Sequence, residues 1–427
     1  MLTIGMFTLL VVFILLGAPI GFVMAILPMA YILITDAVPM SVVPYQMYDS
    51  LGKIPLIAVP LFLFAGELMN RGEVTNRLLE LSQVAVGRIR GGVSQVTVVL
   101  SMLFATLNGS AVASTVTIGS IMIPAMKRSG YNASYSAALT GAASTIGAII
   151  PPSLPLIIFA SATNLSVGRL FSAGVLPGIL IGLMFMAIAY IVAVRNNHER
   201  NEQSFGFVRL LRALQRSALA LLLPLLLYFG IVLGIVSATE AGAFVAFLAF
   251  VIGKFVYKAL TWSDVHSALK QTVRSTASIF LIIAAAGPFS WLLTRLGALD
   301  ALEGFLLRFQ DDKILFILVF VGIIFIAGML MDIVANLLIL GPTLLAAGTA
   351  AGLESTQAAM VICVGFILGT ITPPVGICYF AAARIAAASL ESVALKLVPF
   401  IAAETLLLFL ILGFPWLTQW LPKLSGF

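Results

Sequence analysis

Charge is what this chain has least of. Lys, Arg, Asp and Glu make up 9% of its 427 residues and 61% are hydrophobic, whereas an ordinary soluble domain is about a quarter charged and about half apolar. A water-facing surface cannot be assembled from that inventory. Cysteine is scarce too. Cys363 and Cys378 lack the C-x-x-C spacing of a redox or zinc site, lie in apolar stretches and read as helix-packing residues. The two histidines, His198 and His266, stand in polar connectors with no second ligand in sequence reach, which argues against a metal centre and leaves them as loop residues. No phosphate-loop lysine motif occurs, so ATP drive is not encoded. The His-Glu-x-x-His and Gly-x-Ser-x-Gly patterns of hydrolytic enzymes are missing as well. The net charge of +6 does not point to nucleic acid, because the basic residues lie in short loops between apolar runs rather than on one soluble face. Membrane orientation explains them better.

What fills the chain instead is apolar runs long enough to cross a bilayer, for which a helix needs about 20 residues. The first half offers segments 2–34 (one long span or two short ones), 53–70, 93–126, 134–163 and 173–194. The second half offers 217–235, 239–257, 275–293, 314–349, 356–388 and 397–414. The fold class is therefore an all-α polytopic membrane protein. The N-terminal stretch is too long and uncharged for a cleavable signal and lacks a basic start, so it is expected to belong to the mature fold.

The two halves resemble each other. Shifting the sequence by 222 positions superposes Gly119 on Gly341, Gly130 on Gly352, Gly147 on Gly369, Pro151 on Pro373 and Pro152 on Pro374 without a gap. Glycine and proline set backbone geometry, so their coincidence carries more than matched leucines would. The loops give the relative orientation. Arg71, Arg77, Arg88 and Arg90 precede the 93–126 segment, Lys127 and Arg128 follow it, and the connector carries Arg195, Arg200, Arg209, Arg212 and Arg216. The positions matching Lys127 and Arg128 are Thr349 and Ala350, near Glu354 and the acidic Asp300, Glu303, Asp311 and Asp312, with Arg308 and Lys313 among them. Basic loops mark the cytoplasm. The chain thus reads as two inverted repeats, 1–200 and 217–427, joined by a cytoplasmic connector at 195–216. That connector places Arg209, Arg212 and Arg216 on one helical face, which suits an interfacial helix as well as a solvated basic loop.

Inversion makes 93–126 begin and end inside and 314–349 begin and end outside. Each is then a re-entrant hairpin whose tip stops near the bilayer middle, where open backbone must be buried in protein or line a cavity. The first tip reads Asn108, Gly109, Ser110, Ala111, Val112, Ala113, Ser114, Thr115, and the second spans Met331 to Asn336. Such residues turn tightly and offer oxygen ligands, or they satisfy their own helices. Ile150-Pro151-Pro152-Ser153 and Thr372-Pro373-Pro374-Val375 interrupt the segments 134–163 and 356–388. Proline there either kinks a packing helix or breaks it and frees carbonyls for a cation and amides for an anion. Charges inside apolar spans are Glu67, Glu240, Asp332, Arg384 and Glu404, and each is expected to have a partner or water. Asp332 could ligate a cation, cap the following half-helix or pair with Arg384.

At these residues the sequence resembles the large membrane subunit of tripartite ATP-independent periplasmic (TRAP) transporters, sialic acid and C4-dicarboxylate types. The pieces are Asn108-Gly-Ser-Ala-Val-Ala through Gly119, Ile123-Pro124-Ala125-Met126-Lys127, Gly147 to Ile158, Ala238-Thr239-Glu240-Ala241, Gly328 to Asn336 and Gly369 to Gly376, which span nearly the whole chain. Ser237-Ala238 departs from the Thr-Pro pair frequent in the family. The resemblance implies an elevator-type transporter in the bacterial inner membrane, importing an organic acid with Na+. It also implies a small four-helix membrane subunit and a periplasmic substrate-binding protein as partners. Carried over by residue, it puts one Na+ near Asn108, Ser114, Gly147 and Pro151 and a second near Asp332, Asn336, Thr370, Pro373 and Gly376. Substrate lies between them against Ser110 and Ser153, with Thr145 and Asn164 as further candidates. A stand-alone Na+- or H+-coupled anion carrier of the wider ion-transporter superfamily, and a passive channel, are the alternatives.

Overall fold

The structure is a computed structural model that describes residues 8, 9, 12, 13, 17–36, 38–198 and 207–427, and of 105–108 and 207 the backbone alone. Helix is the only regular structure among the described residues. The first half contains α1 (Ile20–Thr35), α2 (Val42–Leu51), a 3-10 turn at Ile54–Ile57, α3 (Ala58–Arg71), α4 (Val74–Val86), α5 (Gly92–Asn108), α6 (Ala111–Arg128), α7 (Ala133–Ile149), α8 (Leu154–Thr163) and α9 (Val167–Arg195). Then come α10 (Phe207–Val232) and the second half: α11 (Ala238–Val251, extended by a π turn at Ile252–Val256), α12 (Trp262–Arg295), α13 (Ala298–Leu307), α14 (Lys313–Leu330), α15 (Ile333–Ile339), α16 (Gly341–Ala350), α17 (Ser355–Gly369), α18 (Ile377–Ala386), α19 (Leu390–Gly413) and α20 (Trp416–Leu424).

The 222-residue register governs the elements as well as the glycines. Moving the bounds of α6 by 222 gives 333–350, the start of α15 and the end of α16; moving α5 gives 314–330, against α14 at Lys313–Leu330. In the same way α7 falls on α17, α8 on α18, α9 on α19, α4 on α13, and α2 with α3 on the single long α12. Helix α10 alone lies between the copies. Seven helices are long and apolar enough to cross a membrane, and the bent pairs α7/α8 (43°) and α15/α16 (53°) bring the number up to nine among the described residues. The protein is a multi-pass membrane protein.

The ends of matched helices show which way they run. Ser134 at the start of α7 touches Ser392 at the start of α19 (2.7 Å), and Tyr131 just before α7 stacks on His198 just after α9 (3.8 Å between centroids). At the other end, Arg169 at the start of α9 pairs with Glu354 at the start of α17 (2.5 Å), and Gln357 in α17 donates to Ile411 near the end of α19 (2.9 Å). Helices α9 and α19, which the register equates, are therefore antiparallel. The repeats are inverted. Lys127 and Arg128 lie at one end of the molecule and their counterparts Thr349 and Ala350 at the other.

Both hairpins close on themselves. Tyr131 Oη donates to Ser94 Oγ (3.3 Å) and Thr97 meets Met126 (3.6 Å), which joins the start of α5 to the end of α6. In the second hairpin a Cβ on Gly348 of α16 would meet the Phe320 ring of α14 at 3.5 Å. The second hairpin has a break that the sequence reading of 314–349 does not anticipate. Its return arm bends by 53° between Ile339 and Gly341, because Pro342 withholds an N–H from the helix that ends there.

Helices α7 and α17 form the centre. Every side chain from Ser134 to Ile149 and from Thr356 to Gly369 is buried, as befits helices that are apolar or small all round. Around them pack α5, α6, α8, α9, α14, α18 and α19. A second group, α1, α2, α3, α11 and α12, packs chiefly among itself: α1 and α2 lie on α12, and α3 lies on α11 and α12, while α10 lies against α4, α11 and α9. The outer helices are exchanged, since α1 of the first half rests on α12 of the second, and α11 of the second rests on α3 of the first.

Three sequence expectations change. The stretch 207–216 is not a separate interfacial helix but the first turns of α10, which runs unbroken into the membrane span. Nothing stops it there, and α4 holds it: Arg77 donates to the Arg216 carbonyl (3.0 Å) and Ser217 to the Arg77 carbonyl (2.9 Å). Residues 199–206 of the connector lie outside the described residues. Helix α12 begins at Trp262, 13 residues before the expected 275, nucleated by a capping box in which Thr261 and Asp264 bond each other's backbone N–H. Of the expected 2–34 segment, 20–35 is α1, while 2–7, 10, 11 and 14–16 lie outside the described residues.

Candidate functional site

The first hairpin tip meets the proline break of its own half, and in the second half Gly328, one turn before the tip, lies against Gly369, one turn before the break. Helix α7 ends at Ile149 because Ile150, which precedes Pro151, takes an extended conformation (φ −71°, ψ 129°). Ser153 then starts α8 by accepting from the Leu156 N–H (3.4 Å) while its hydroxyl donates to the Ala148 carbonyl. The first tip turns at Gly109, whose φ of +57° suits a residue without a Cβ. The Gly109 carbonyl accepts from the Leu154 N–H (3.2 Å). A Cβ on Gly109 would lie 2.9 Å from the Pro152 carbonyl oxygen. Ser110 caps α6 by accepting from the Ala113 N–H (3.4 Å). Two serine-capped helix N-termini thus converge where Gly109 touches the Pro151-Pro152 break. Free N–H groups at such ends attract anions.

The second half repeats the plan with different side chains. Asp332 occupies the place of Ser110 and caps α15 by accepting from the Val334 N–H (2.9 Å). Of the three readings open for Asp332, capping is the one with a bond on it, and among the described residues it forms no ion pair with Arg384, which is exposed. Gly376 starts α18, and a Cβ there would fall 2.8 Å from the Thr370 carbonyl oxygen, which accepts from the Cys378 N–H (3.0 Å). The Cys378 thiol meets the hydroxyls of Thr370 and of Thr115 on α6, so the two halves touch here.

The register equates Ser114 with Asn336, and both are fully buried. Asn336 spends its amide N–H groups on the Ala327 (3.0 Å) and Met331 (3.2 Å) carbonyls, which leaves its Oδ1 without a partner. Ser114 Oγ is likewise unpartnered. Two buried oxygens at equivalent places, one turn inside each tip, have nothing to bond. Buried polar atoms are ordinarily satisfied.

Not every candidate gathers at the tips. Ser110, Ser114, Pro151 and Ser153 share the first, and Gly147 lies one turn before its break; Asp332, Asn336, Thr370, Pro373 and Gly376 belong to the second tip and break. The Asn108 side chain lies outside the described residues. Thr145 is buried in α7, bonded to the Ala142 carbonyl (2.7 Å) and to Glu404. Asn164 is exposed in a left-handed conformation at the far end of α8, a helix length from Ser153. Nearby, a 390 Å³ cavity lies between the two helix groups, lined by Gln46, Lys53, Ser161, Ser290, Thr294 and Pro342 among others. Sequence reading missed it because its walls come from four distant segments. The breaks also differ in exposure: Pro151 and Pro152 are buried, whereas Pro374 is exposed.

The family profile of the tripartite ATP-independent periplasmic transporter, DctM component, matches residues 7–417. The chain belongs to this family. It is similar to the sialic acid TRAP transporter large permease protein SiaM of Vibrio cholerae, with 28% identity over 96% of this chain and 95% of that protein. The C4-dicarboxylate TRAP transporter large permease protein DctM of the same organism is 30% identical, covering 98% and 97%. The 2,3-diketo-L-gulonate TRAP transporter large permease protein YiaN of Escherichia coli is 31% identical, covering 84% and 85%. Among solved structures, the YdaH transporter of Alcanivorax borkumensis shares the fold, with a TM-score of 0.62 at 16% identity over 87% of this chain and 88% of that one. As a member of the DctM family the chain is a permease component of a TRAP transporter and not an enzyme. Its family resemblance and its polytopic helical class, both expected from the sequence, stand.

Proposed function

We propose that this DctM-family chain is the large subunit of a Na+-coupled importer of an organic acid of the sialic acid or C4-dicarboxylate class. The observation that carries the reading is the matched pair of unpartnered buried oxygens, Ser114 Oγ and Asn336 Oδ1, one turn inside the two tips. A small hard cation is bound by oxygen, and these positions supply it with breaks of helix, and so free carbonyls, alongside. At the first tip the capped N-termini of α6 and α8 offer amide dipoles to a carboxylate. The relatives that carry sialic acid, C4-dicarboxylate or diketogulonate all handle carboxylates, which suits such a site. The inner helix group, with both hairpins and both breaks, would slide as one body against the group around α12. A four-helix small subunit would extend that frame, and a periplasmic binding protein would deliver the acid at the bacterial inner membrane.

The test is uptake into proteoliposomes holding this chain and its small subunit, with a panel of binding proteins each loaded with one acid. Ser114→Ala is expected to raise the Na+ concentration for half-maximal uptake about tenfold, the equivalent of ~1.4 kcal/mol, with insertion and folding intact. Asn336→Ala should do the same at the second site. Uptake that ignores Na+, or mutants with the wild-type Na+ dependence, would overturn the ion assignment. Full uptake without either accessory protein would favour a self-sufficient anion carrier.

A further inference from the structure

Glu404 is the one carboxylate of the described residues that is completely buried. It stands in the middle of α19, against Thr145 of α7. Its Oε1 bonds the Thr145 hydroxyl and its Oε2 has no partner. No cation pairs with it: the ion pairs among the described residues are Arg71 with Glu67, Arg169 with Glu354 and Arg216 with Glu80. The neighbouring elements supply no compensating charge. Helix α7 has no charged residue, and its only phenol, Tyr135, packs on Phe400 a turn away. Helix α17 offers only Cys363, and α18 offers Cys378, Tyr379 and the exposed Arg384. Arg169, Tyr190 and Arg195 of α9 lie toward its ends, with Arg169 engaged by Glu354. On α19 itself, Glu391 and Lys396 are two or more turns away and exposed.

The hydrogens decide the state of this group. A threonine hydroxyl carries one proton, and Thr145 lies within bonding distance of two acceptors, the Ala142 carbonyl (2.7 Å) and the Glu404 carboxyl. An ionised carboxylate would compete with the carbonyl for that proton and gain no other donor. A neutral carboxylic acid completes a chain instead: Glu404 donates to Thr145 Oγ1, and Thr145 donates to Ala142. Burying a neutral acid also avoids the cost of an unpaired charge, which is the heavier penalty.

Symmetry shows that the fold does not need this pair. The register equates Glu404 with Gly182, against which Met102 packs, and Thr145 with Ile367. The same crossing in the other half is made without a polar group, so the acid serves something other than packing. Intramembrane carboxyls of this kind are proton carriers in pumps and transporters.

We infer that Glu404 is a proton-binding site, holding one dissociable proton between α19 and the broken-helix segment that leads from Thr145 to Pro151. It is distinct from the two oxygen sites at the tips and does not depend on their assignment to Na+. Loss of the proton to water leaves a carboxylate with half of one hydrogen bond, which loosens the contact between α19 and α7. Proton occupancy is thereby tied to the seating of the break that Ser153 caps.

The test is infrared difference spectroscopy on the purified full chain in lipid nanodiscs at neutral pH. One protonated-carboxyl stretching band is expected in the wild type, lost in Glu404→Gln and kept in Asp332→Asn, and it should fade as the pH is raised. Thr145→Val leaves the acid in place but removes its partner, so the band should persist at a shifted frequency. That variant keeps the test decisive if Glu404→Gln fails to fold. Identical carboxyl regions in wild type and Glu404→Gln, or no shift in Thr145→Val, would show that Glu404 is ionised. A band abolished by adding Na+ at constant pH would make the group a Na+ ligand and likewise overturn the proposal.

Discussion

At Gly369, where α17 ends, a Cβ would come within 2.2 Å of the Gly328 backbone on α14. No rotamer change relieves such a contact, because the obstructing atoms are main chain. Side-chain overpacking in a core costs about 1–3 kcal/mol, and a backbone crossing should cost at least that much. Gly369→Ala is therefore expected to lower the melting temperature in detergent markedly, with Gly304→Ala, which faces open space, as the silent control. Equal melting of the two would show that the crossing has slack. Sequence reading reached some of this scale. The 222 register that aligns Gly147 with Gly369 also aligns Ser110 with Asp332 and Ser114 with Asn336, so the pairing of these positions is legible from it, though not the lack of a partner for the Ser114 and Asn336 oxygens. It could not join Thr145 to Glu404. Those residues are 259 positions apart, their counterparts are Ile367 and Gly182, and neither repeat nor motif links them.

Elements were legible where a residue forces the backbone. Pro151 and Pro373 place the two breaks, and Gly109 and Asp332 place the two tips. The misses are of two kinds: the Pro342 break, where a single proline inside a long apolar run passes for part of the span, and the helix starts, where polar turns join an apolar span. Helix α12 extends to Trp262 because a polar, capped turn joins the apolar span without interruption, and α10 runs from the basic stretch at Phe207 into its span in the same way. The connector after α9 does more than its polar composition suggests. His198, expected to be a loop residue, stacks on Tyr131 and fastens the end of α9 to the α6/α7 turn, and burial lowers its proton affinity below the ordinary histidine value of about 6.5. A base whose folded pKa is depressed contributes stability that is present above its unfolded pKa and is lost as the pH falls through the folded one. Acidification below about pH 6.5 should thus destabilise the wild type more than His198→Asn. Parallel pH-dependent melting curves for the two proteins would remove His198 from the account.

Across the whole molecule, the inverted arrangement makes a test that needs no substrate. Arg128 and Ala350 are equivalent under the register, exposed, and at opposite ends of the structure. Single cysteines at these sites, in a chain whose Cys363 and Cys378 are buried, should react with an impermeant maleimide from opposite faces of the membrane: Arg128→Cys from the cytoplasm and Ala350→Cys from outside. Labelling of both from one face would refute the inversion. The exchange of outer helices reaches into biosynthesis. Because α11 covers α3 and α12 covers α1, a nascent chain that has only reached Arg195 has inserted two helices whose partners are not yet translated. Lipid or a holding factor must occupy those faces until the ribosome passes Arg295, and a chain truncated before that point presents the membrane's quality-control proteases with an unfinished half.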